Sequence, residues 1–321
     1  MIFKKCKTTP SPLIKEVSKE IVRPRWSIMI PTYNCAAFLK KTLESVLSQD
    51  LGEELMQIEV VDDCSTKDNP EQVVNEIGKG RVKFYRKPKN EGAIANFNTC
   101  IERSKGELIH ILHGDDWVLP GYYSRIENCA TKYPETSLFS TRVFYTDEAE
   151  IVFKELPRVV DFENQPSKNV NDFWELNPLL FPGVTVRRSA YESLGGFRLD
   201  LVHTADWEMW IRVINEYGGM ILPEILASYR MFEGNDTSKL AKSAENLNDY
   251  LRLSNYFSKY PSFEPDKFMN MVNELAQKQL DMFNRIGDKA SVEKNQKFIF
   301  KNSSIKDKIL LLLKVKSFSK V

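Results

Sequence analysis

Apolar residues in this chain fall into short runs separated by stripes at helical spacing. Trp26–Pro31 reads WSIMIP, a buried strand stopped by Pro31 and by the turn former Asn34. Ala36–Ser48 then places Phe38, Leu39, Leu43, Val46 and Leu47 on one helical face. Met56–Val61 is a second apolar run and ends abruptly in Asp62, Asp63, Cys64, Ser65 and Thr66. A short helix over Pro70–Ile77, a third strand over Val82–Arg86 and a turn at Asn90, Glu91 and Gly92 follow. Next come a helix over Ile94–Ser104 and a fourth strand over Leu108–Leu112, which runs into His113, Gly114, Asp115 and Asp116. This alternation predicts an α/β fold with a doubly wound, mostly parallel sheet flanked by helices. Such sheets bind ligands at the carboxyl ends of their strands. Both acidic pairs stand at such ends, so the fold should bring them together.

Beyond the fourth strand the pattern is mixed. Pro120–Lys132 reads as a helix, and strands then alternate with loops. Ala205–Tyr217 is a helix with its acidic residues at the N-terminal end, and 240–285 is helical with polar faces. Residues 1–25 form a polar lead-in with room for one short helix. The expected organisation is therefore a lead-in over 1–25, a main domain over 26–238 and a helical extension over 239–321. The tail sets Ile309–Leu313 among Lys306, Lys308, Lys314, Lys316 and Lys320. That run is too short to span a bilayer. It reads as a membrane-surface helix, as a packed terminal helix or as a self-association element. The oligomeric state stays open.

Composition narrows the function classes. The 321 residues are 42 % hydrophobic, enough for a sizeable core, and 45 basic side chains face 44 acidic ones for a net charge of +1. No global field draws the chain to nucleic acid, and no nucleic-acid motif is present. The cysteines, Cys6, Cys35, Cys64, Cys100 and Cys129, are odd in number and contain no C-x-x-C pair. That speaks against a zinc site or a disulfide framework and for a reducing compartment. The N-terminus carries lysines without a following apolar stretch, unlike a secretory signal. Together these predict a cytoplasmic protein, at the inner face of the membrane if the tail meets lipid.

Four constellations carry candidate chemistry, each with an ordinary alternative. Asp115 and Asp116 suit a hard divalent cation that bridges carboxylates to substrate phosphates, or they form a solvated acidic turn. Asp62 and Asp63 can accept from a base N–H or a ribose hydroxyl, or cap the helix that starts near Pro70. Asp206, followed by Trp207 and Glu208, can serve as a general base, or the trio is an acidic first turn favoured by the helix dipole. Arg230 can hold phosphate with its fork of donors, or it is a solvated arginine.

Order and context raise these signals. Pro31-Thr32-Tyr33-Asn34, Val60 to Thr66, Asn90-Glu91-Gly92, Ala95-Asn96, Lys105-Gly106-Glu107 and His113 to Asp116 together resemble the family 2 inverting glycosyltransferases of the GT-A fold. Downstream, Val186 to Ser189, Leu194 to Phe197 and Ala205 to Arg212 are similar to that family's acceptor-side segment. The resemblance covers roughly Trp26 to Ser238. It implies transfer of a sugar from a nucleoside-diphosphate donor, usually a uracil nucleotide, to an acceptor hydroxyl with inversion. It also implies Mn²⁺ or Mg²⁺ as cofactor, a saccharide or lipid-linked acceptor, and a role in polysaccharide or glycolipid assembly.

Carried over residue by residue, the resemblance puts Pro31, Thr32, Tyr33 and Asn34 under the nucleotide and Asp63, with Asp62, at the base. It puts Asn90 and Gly92 beside the nucleotide, Asn96 toward the sugar or phosphates, and Asp115 and Asp116 at the metal. Asp115 and Arg230 complete the donor side, Asp206 is the catalytic base, and Trp207 and Glu208 face the acceptor. Two positions depart from the pattern. His113 stands where the family's D-x-D-D motif has its first aspartate, and Phe232 stands where many relatives have histidine. The loop Gly234–Ser238 resembles one that closes over the donor. Two other readings compete. A sugar nucleotidylyltransferase would need a glycine-rich basic loop after the first strand, where Pro31 to Cys35 offers neither glycine nor lysine. A non-catalytic nucleotide-sugar binder or scaffold would bind nucleotide without turnover.

Overall fold

Strand β1 (Trp26–Thr32) is buried along its whole length, as expected of a strand paired on both edges and covered on both faces. The computed structural model describes residues 8–155 and 164–302. Around β1 the chain forms α1 (Ala36–Leu47), β2 (Met56–Asp62), α2 (Pro70–Gly78), β3 (Lys83–Arg86), α3 (Ala93–Arg103) and β4 (Leu108–Ile111). All lie within one residue of the limits that the patterning predicts. The core beneath them is built from Trp26, Ile28, Ile30, Leu39, Leu43, Val46, Met56, Ile58 and Val60. Asn69 caps α2 by accepting from Gln72 N, and Pro70 fills the first turn, where its missing N–H costs nothing.

The second half adds β5 (Trp117–Val118), α4 (Tyr122–Lys132), β6 (Leu138–Thr146), β7 (Val152–Glu155), β8 (Val184–Arg187), α5 (Arg188–Leu194), α6 (Ala205–Tyr217) and β9 (Gly219–Arg230). The sheet runs β3-β2-β1-β4-β8-β6-β9-β5, with β7 beside β6. Pairs β3/β2, β2/β1, β1/β4 and β6/β9 are parallel; β4/β8, β8/β6, β6/β7 and β5/β9 are antiparallel. The sheet is therefore mixed: it is parallel throughout its first four strands, and beyond them only the β6/β9 pair is parallel. The reason lies at β8, which is entered from a 3₁₀ turn at Phe181–Gly183 instead of a crossover helix. Without that crossover nothing forces the strand to run parallel.

The expected short helix in the lead-in is absent from residues 8–25. That stretch satisfies its backbone at a distance: Pro12 O accepts from Gly196 N at 2.7 Å, and Lys15 O from Arg188 Nη2 at 3.0 Å. Ile14 is buried.

By internal contacts Thr9–Phe232 form one compact unit, and the described residues from Glu233 onward belong to a second. The second holds α7 (Asp236–Ser243), α8 (Glu245–Phe257), α9 (Pro265–Ile286) and α10 (Lys289–Asn302). In α9, Phe268, Val272, Ala276, Leu280 and Phe283 form one buried stripe. The expected loop over Gly234–Ser238 is instead partly helical. Asn235 Oδ1 accepts from Ser238 N at 2.8 Å, and this cap starts α7 at Asp236. No described helix is long and apolar enough to cross a membrane. The tail expected at a membrane surface lies, from residue 303 on, outside the described residues.

Candidate active site

Chain order reverses at β1. From β1 the chain steps to β2 and β3 on one side, then returns through α3 to β4 on the other. The carboxyl ends of β1 and β4 therefore part, and such a switch point opens a crevice for a ligand. The turn after β4 is laid against the end of β1: Leu112 N donates to Met29 O and Gly114 N to Pro31 O, both at 3.0 Å. A Cβ on Gly114 would stand 3.0 Å from Cys35 Sγ and 3.2 Å from Thr32 Oγ1. Glycine is what lets the two strand ends approach.

Within this turn, ligand atoms of His113, Asp115 and Asp116 all lie within 4.8 Å of one another. Asp116 is 1 % exposed. Its Oδ1 accepts from Arg230 N at 2.8 Å, but its Oδ2 is buried with no hydrogen-bond partner. His113 Nδ1 stands 3.8 Å from that oxygen. Burial first, and the Asp115 charge second, push the Asp116 carboxyl well above the usual carboxylate range. A buried carboxylate oxygen without a donor is costly. A divalent cation removes that cost, and two carboxylates with an imidazole are a fitting donor set. The same charge reaches Cys35: burial, then Asp115, push its thiol up to about 12.

Arg230 turns its guanidinium to oxygens of its own chain. Its side chain is buried, and its guanidinium donates to Asp115 O at 3.0 Å, Glu148 O at 2.9 Å and Glu150 Oε1 at 3.2 Å. It also lies over the rings of Phe38 and Trp117, at 4.6 and 4.8 Å. The arginine is the floor of the acidic turn. Phe232 packs on Phe38, with ring centroids 5.0 Å apart.

The acidic pair after β2 is arranged differently. Asp62 is fully buried and accepts from Ser65 N, Ser65 Oγ and Arg86 Nε. Asp63 accepts from Glu91 N at 3.1 Å and Gly92 N at 2.8 Å, and pairs with buried Lys87 at 2.7 Å. Gly92 takes φ 90° at the start of α3, a conformation that disfavours side chains. Asn90 Nδ2 donates to Asp63 O. Both carboxylates thus bind their own chain. Asn34, at φ 51°, accepts from Thr66 N and Lys67 N, each at 2.9 Å, so its side chain ties two loops. Asn96 is buried and donates to Val61 O at 2.9 Å, which pins α3 to β2, while its Oδ1 has no hydrogen-bond partner. Pro31 and Thr32 end β1, with Thr32 O accepting from Asp63 N at 2.9 Å. Tyr33, next in the chain, is 45 % exposed.

In the first turn of α6, Asp206 is half-buried. Its Oδ2 accepts from Asn177 Nδ2 at 3.1 Å and its Oδ1 from Trp207 N at 2.7 Å. Trp207 is buried and donates to Phe173 O at 2.8 Å, so it packs and does not offer its face. Glu208 is 2 % exposed between Arg198 and Arg212, each at 2.9 Å, and its carboxylate is spent on them. The structure does bring α6 toward the acidic turn. Phe181 packs tilted against His113, with centroids 4.6 Å apart, and edge-on against Trp210 at 5.4 Å. Burial first, and the Asp206 charge second, raise the Tyr145 phenol above its ordinary value, and Tyr145 pairs with Tyr229 across β6/β9, one residue before Arg230.

Sequence reasoning missed Lys87, Asn177 and Tyr145. Arg86 and Lys87 close β3 opposite the acidic end of β2, a readable signal of charge matching. Asn177 and Tyr145 carry none, because only the folded chain sets them beside Asp206.

Comparison with known proteins gives a family and a fold. The family model described as Glycosyl transferase family 2 matches residues 27–195. An uncharacterized glycosyltransferase of Methanocaldococcus jannaschii is 28 % identical over 221 residues, 66 % of this chain and 72 % of its own. Among solved structures, S. aureus TarS 1–349 in complex with UDP-GlcNAc superposes with a TM-score of 0.57 at 16 % identity, over 88 % of this chain and 93 % of its own. The mannosyltransferase PcManGT from Pyrobaculum calidifontis, in complex with GDP-Man and Mn²⁺, gives 0.55 at 17 % identity, over 96 % and 83 %.

Proposed function

The chain belongs to glycosyl transferase family 2 and moves a sugar from a nucleoside-diphosphate donor to an acceptor; we propose that it does so by a single inverting displacement, with Asp206 as base and the crevice beside β1 as donor site. The observation that carries the donor site is the buried, unpartnered Oδ2 of Asp116 facing His113 and Asp115 at the strand switch point. Mn²⁺ or Mg²⁺ is the cofactor that this cluster fits. The chemistry such a cation supplies, when bound, is neutralisation of charge on the departing nucleoside diphosphate.

The chain's own residues do the rest. Arg230 holds Asp115 and Asp116 at fixed spacing from below. Asp62 and Asp63 hold the walls of the crevice by clamping 65 and 90–92. Tyr33, exposed at the end of β1, is the side chain in that segment free to meet the base. Asn177 and Trp207 N orient the Asp206 carboxylate, which takes the acceptor hydroxyl proton as that oxygen attacks the anomeric carbon. Attack from the face opposite the leaving group inverts the configuration without a covalent enzyme intermediate, and positioning supplies much of the rate.

For the donor we take a UDP-sugar, by similarity to TarS, which binds UDP-GlcNAc. For the acceptor we take a saccharide or lipid-linked saccharide in polysaccharide or glycolipid assembly. The thiols Cys35, Cys64, Cys100 and Cys129 suit a reducing cytoplasm, and peripheral contact with the membrane's inner face is assigned to the tail.

The test is a thermal-shift panel of UDP-, GDP-, CDP- and dTDP-sugars, with and without Mn²⁺. A nucleotide at a hundred times its Kd stabilises a fold by about 2.7 kcal/mol. One nucleotide class should stabilise the protein, more so with Mn²⁺. A folded sample that responds to none of them would overturn the donor site.

A further inference from the structure

His113 departs from the carboxylate pattern of the family, and the structure fixes where its ring lies. Phe97 stacks on the imidazole with centroids 4.9 Å apart and planes at 12°. Phe181 packs on it at 4.6 Å, and the two phenylalanines lie 4.8 Å from each other. The ring therefore sits in an aromatic corner that limits its rotation.

From this corner Nδ1 stands 3.8 Å from Asp116 Oδ2. That is too far for a hydrogen bond. It is less than the sum of two coordination bonds of roughly 2.0–2.2 Å each. The oxygen is buried and has no hydrogen-bond donor, so it points into the gap unpaired. Asp115 borders the same gap, with all three ligand atoms inside 4.8 Å.

A nitrogen in the donor set changes which ion suits the site. Mg²⁺ wants oxygen ligands in a near-ideal octahedron and gives up its waters reluctantly. Imidazole suits first-row transition ions, whose affinity rises from Mn²⁺ through Co²⁺. Building on the cation–diphosphate reading of this cluster, we infer that His113 is itself a ligand of the cation and sets the site to prefer Mn²⁺ and its first-row neighbours over Mg²⁺. Phe97 and Phe181 are then positioning residues that aim the ring.

The experiment is titration of the whole chain with MnCl₂, followed by the Mn²⁺ electron paramagnetic resonance signal, with CoCl₂ and MgCl₂ as competitors. Wild type should release Mn²⁺ to Co²⁺ at far lower concentration than to Mg²⁺. His113→Asp should bring the donor set back to oxygen and reduce the Mn²⁺:Mg²⁺ preference by about tenfold or more. His113→Phe, which keeps an aromatic ring in the corner, should lose Mn²⁺ affinity by a similar factor while melting near wild type. Asp116→Asn should abolish the same binding event. The inference is overturned if both His113 variants keep the wild-type preference, or if Asp116→Asn leaves Mn²⁺ binding untouched. Absence of Mn²⁺ binding to wild type would overturn it too, and would remove the cation from the proposed function. Nucleotide stabilisation without metal would then still uphold the donor site.

Discussion

Two strands of this sheet end in a pair of aspartates, and the pairs have opposite fates. Asp62 and Asp63, after β2, are buried with Arg86 and Lys87 as counter-ions and with backbone N–H groups filling their lone pairs. Asp115 and Asp116, after β4, share one turn with a histidine, and a buried oxygen of Asp116 has no hydrogen bond. The same dipeptide at the same topological place is clamped by its own chain after one strand and, after the other, keeps a buried Asp116 oxygen without a hydrogen bond. What separates them is the neighbouring strand end: β3 finishes on two cations, while Arg230 on β9 spends its guanidinium mostly on carbonyl oxygens.

The largest effect should come from exchanging the pairs' roles by substitution. Asp116→Asn should lower kcat by about 10²–10³-fold or more, the scale of losing one group that stabilises developing charge. Its melting temperature without cation should stay level or rise, because an uncompensated buried charge has gone. Steady-state kinetics beside calorimetry would read both. A variant that melts early and keeps its turnover would mean that the β4 pair is the clamp.

Asp63→Asn should do the converse. It takes from the buried Lys87 ammonium one of its two carboxylate partners, leaving Glu91 at 3.0 Å. Breaking a buried pair outright costs about 3–5 kcal/mol, and the retained Glu91 contact should keep the loss at or below the low end of that range. Denaturant unfolding should show that loss, and the kcat of the fraction still folded should change far less than in Asp116→Asn. Full stability with lost turnover would make Asp63 a ligand-binding carboxylate and erase the contrast.

The first half of the fold was legible in sequence, because β1 to β4 alternate with helices whose apolar stripes are unambiguous. The mixed half was not. Strand β8 spans four residues, too short to carry its own periodicity, and its direction depends on the 3₁₀ turn before it. Of the candidate site, the positions of Asp115, Asp116 and Asp206 at element ends could be read from order alone. The occupations of Glu208, Asn96 and Arg230 could not. Each was a polar residue in the right segment, and only the folded chain shows Arg198 and Arg212 closing on Glu208, Val61 O receiving Asn96, and Asp115 O receiving Arg230. Sequence marks which polar side chains stand near a site; it does not record which of them the backbone has already used.

The smallest effect is the most direct reading of that distinction, and it lies in pH. Burial and the charge of Asp115 raise the Asp116 carboxyl in the folded chain above its ordinary value of about 3.9. Between those two values the folded state holds a proton that the unfolded state has released, so stability without cation falls as pH rises through the window. At the β2 end the exposed Glu91 carboxyl is lowered by its bond to Lys87, a contribution that makes stability rise with pH, opposite in sign to that of Asp116, and the remaining shifts fall on bases. The Arg86 guanidinium is raised by its bond to Asp62; burial opposes the Lys87 ammonium, yet Asp63 and Glu91 hold it above its ordinary value. Both titrate at high pH and add no slope in the acid range. A series of melts from pH 4 upward should therefore slope downward through the Asp116 contribution in wild type, and the slope should weaken in Asp116→Asn. Added Mn²⁺ binds the ionised carboxylate, so its stabilising shift should grow as pH rises through the same window. An unchanged slope in Asp116→Asn would show that its charge is compensated in the folded state after all, and that the two acidic ends are alike.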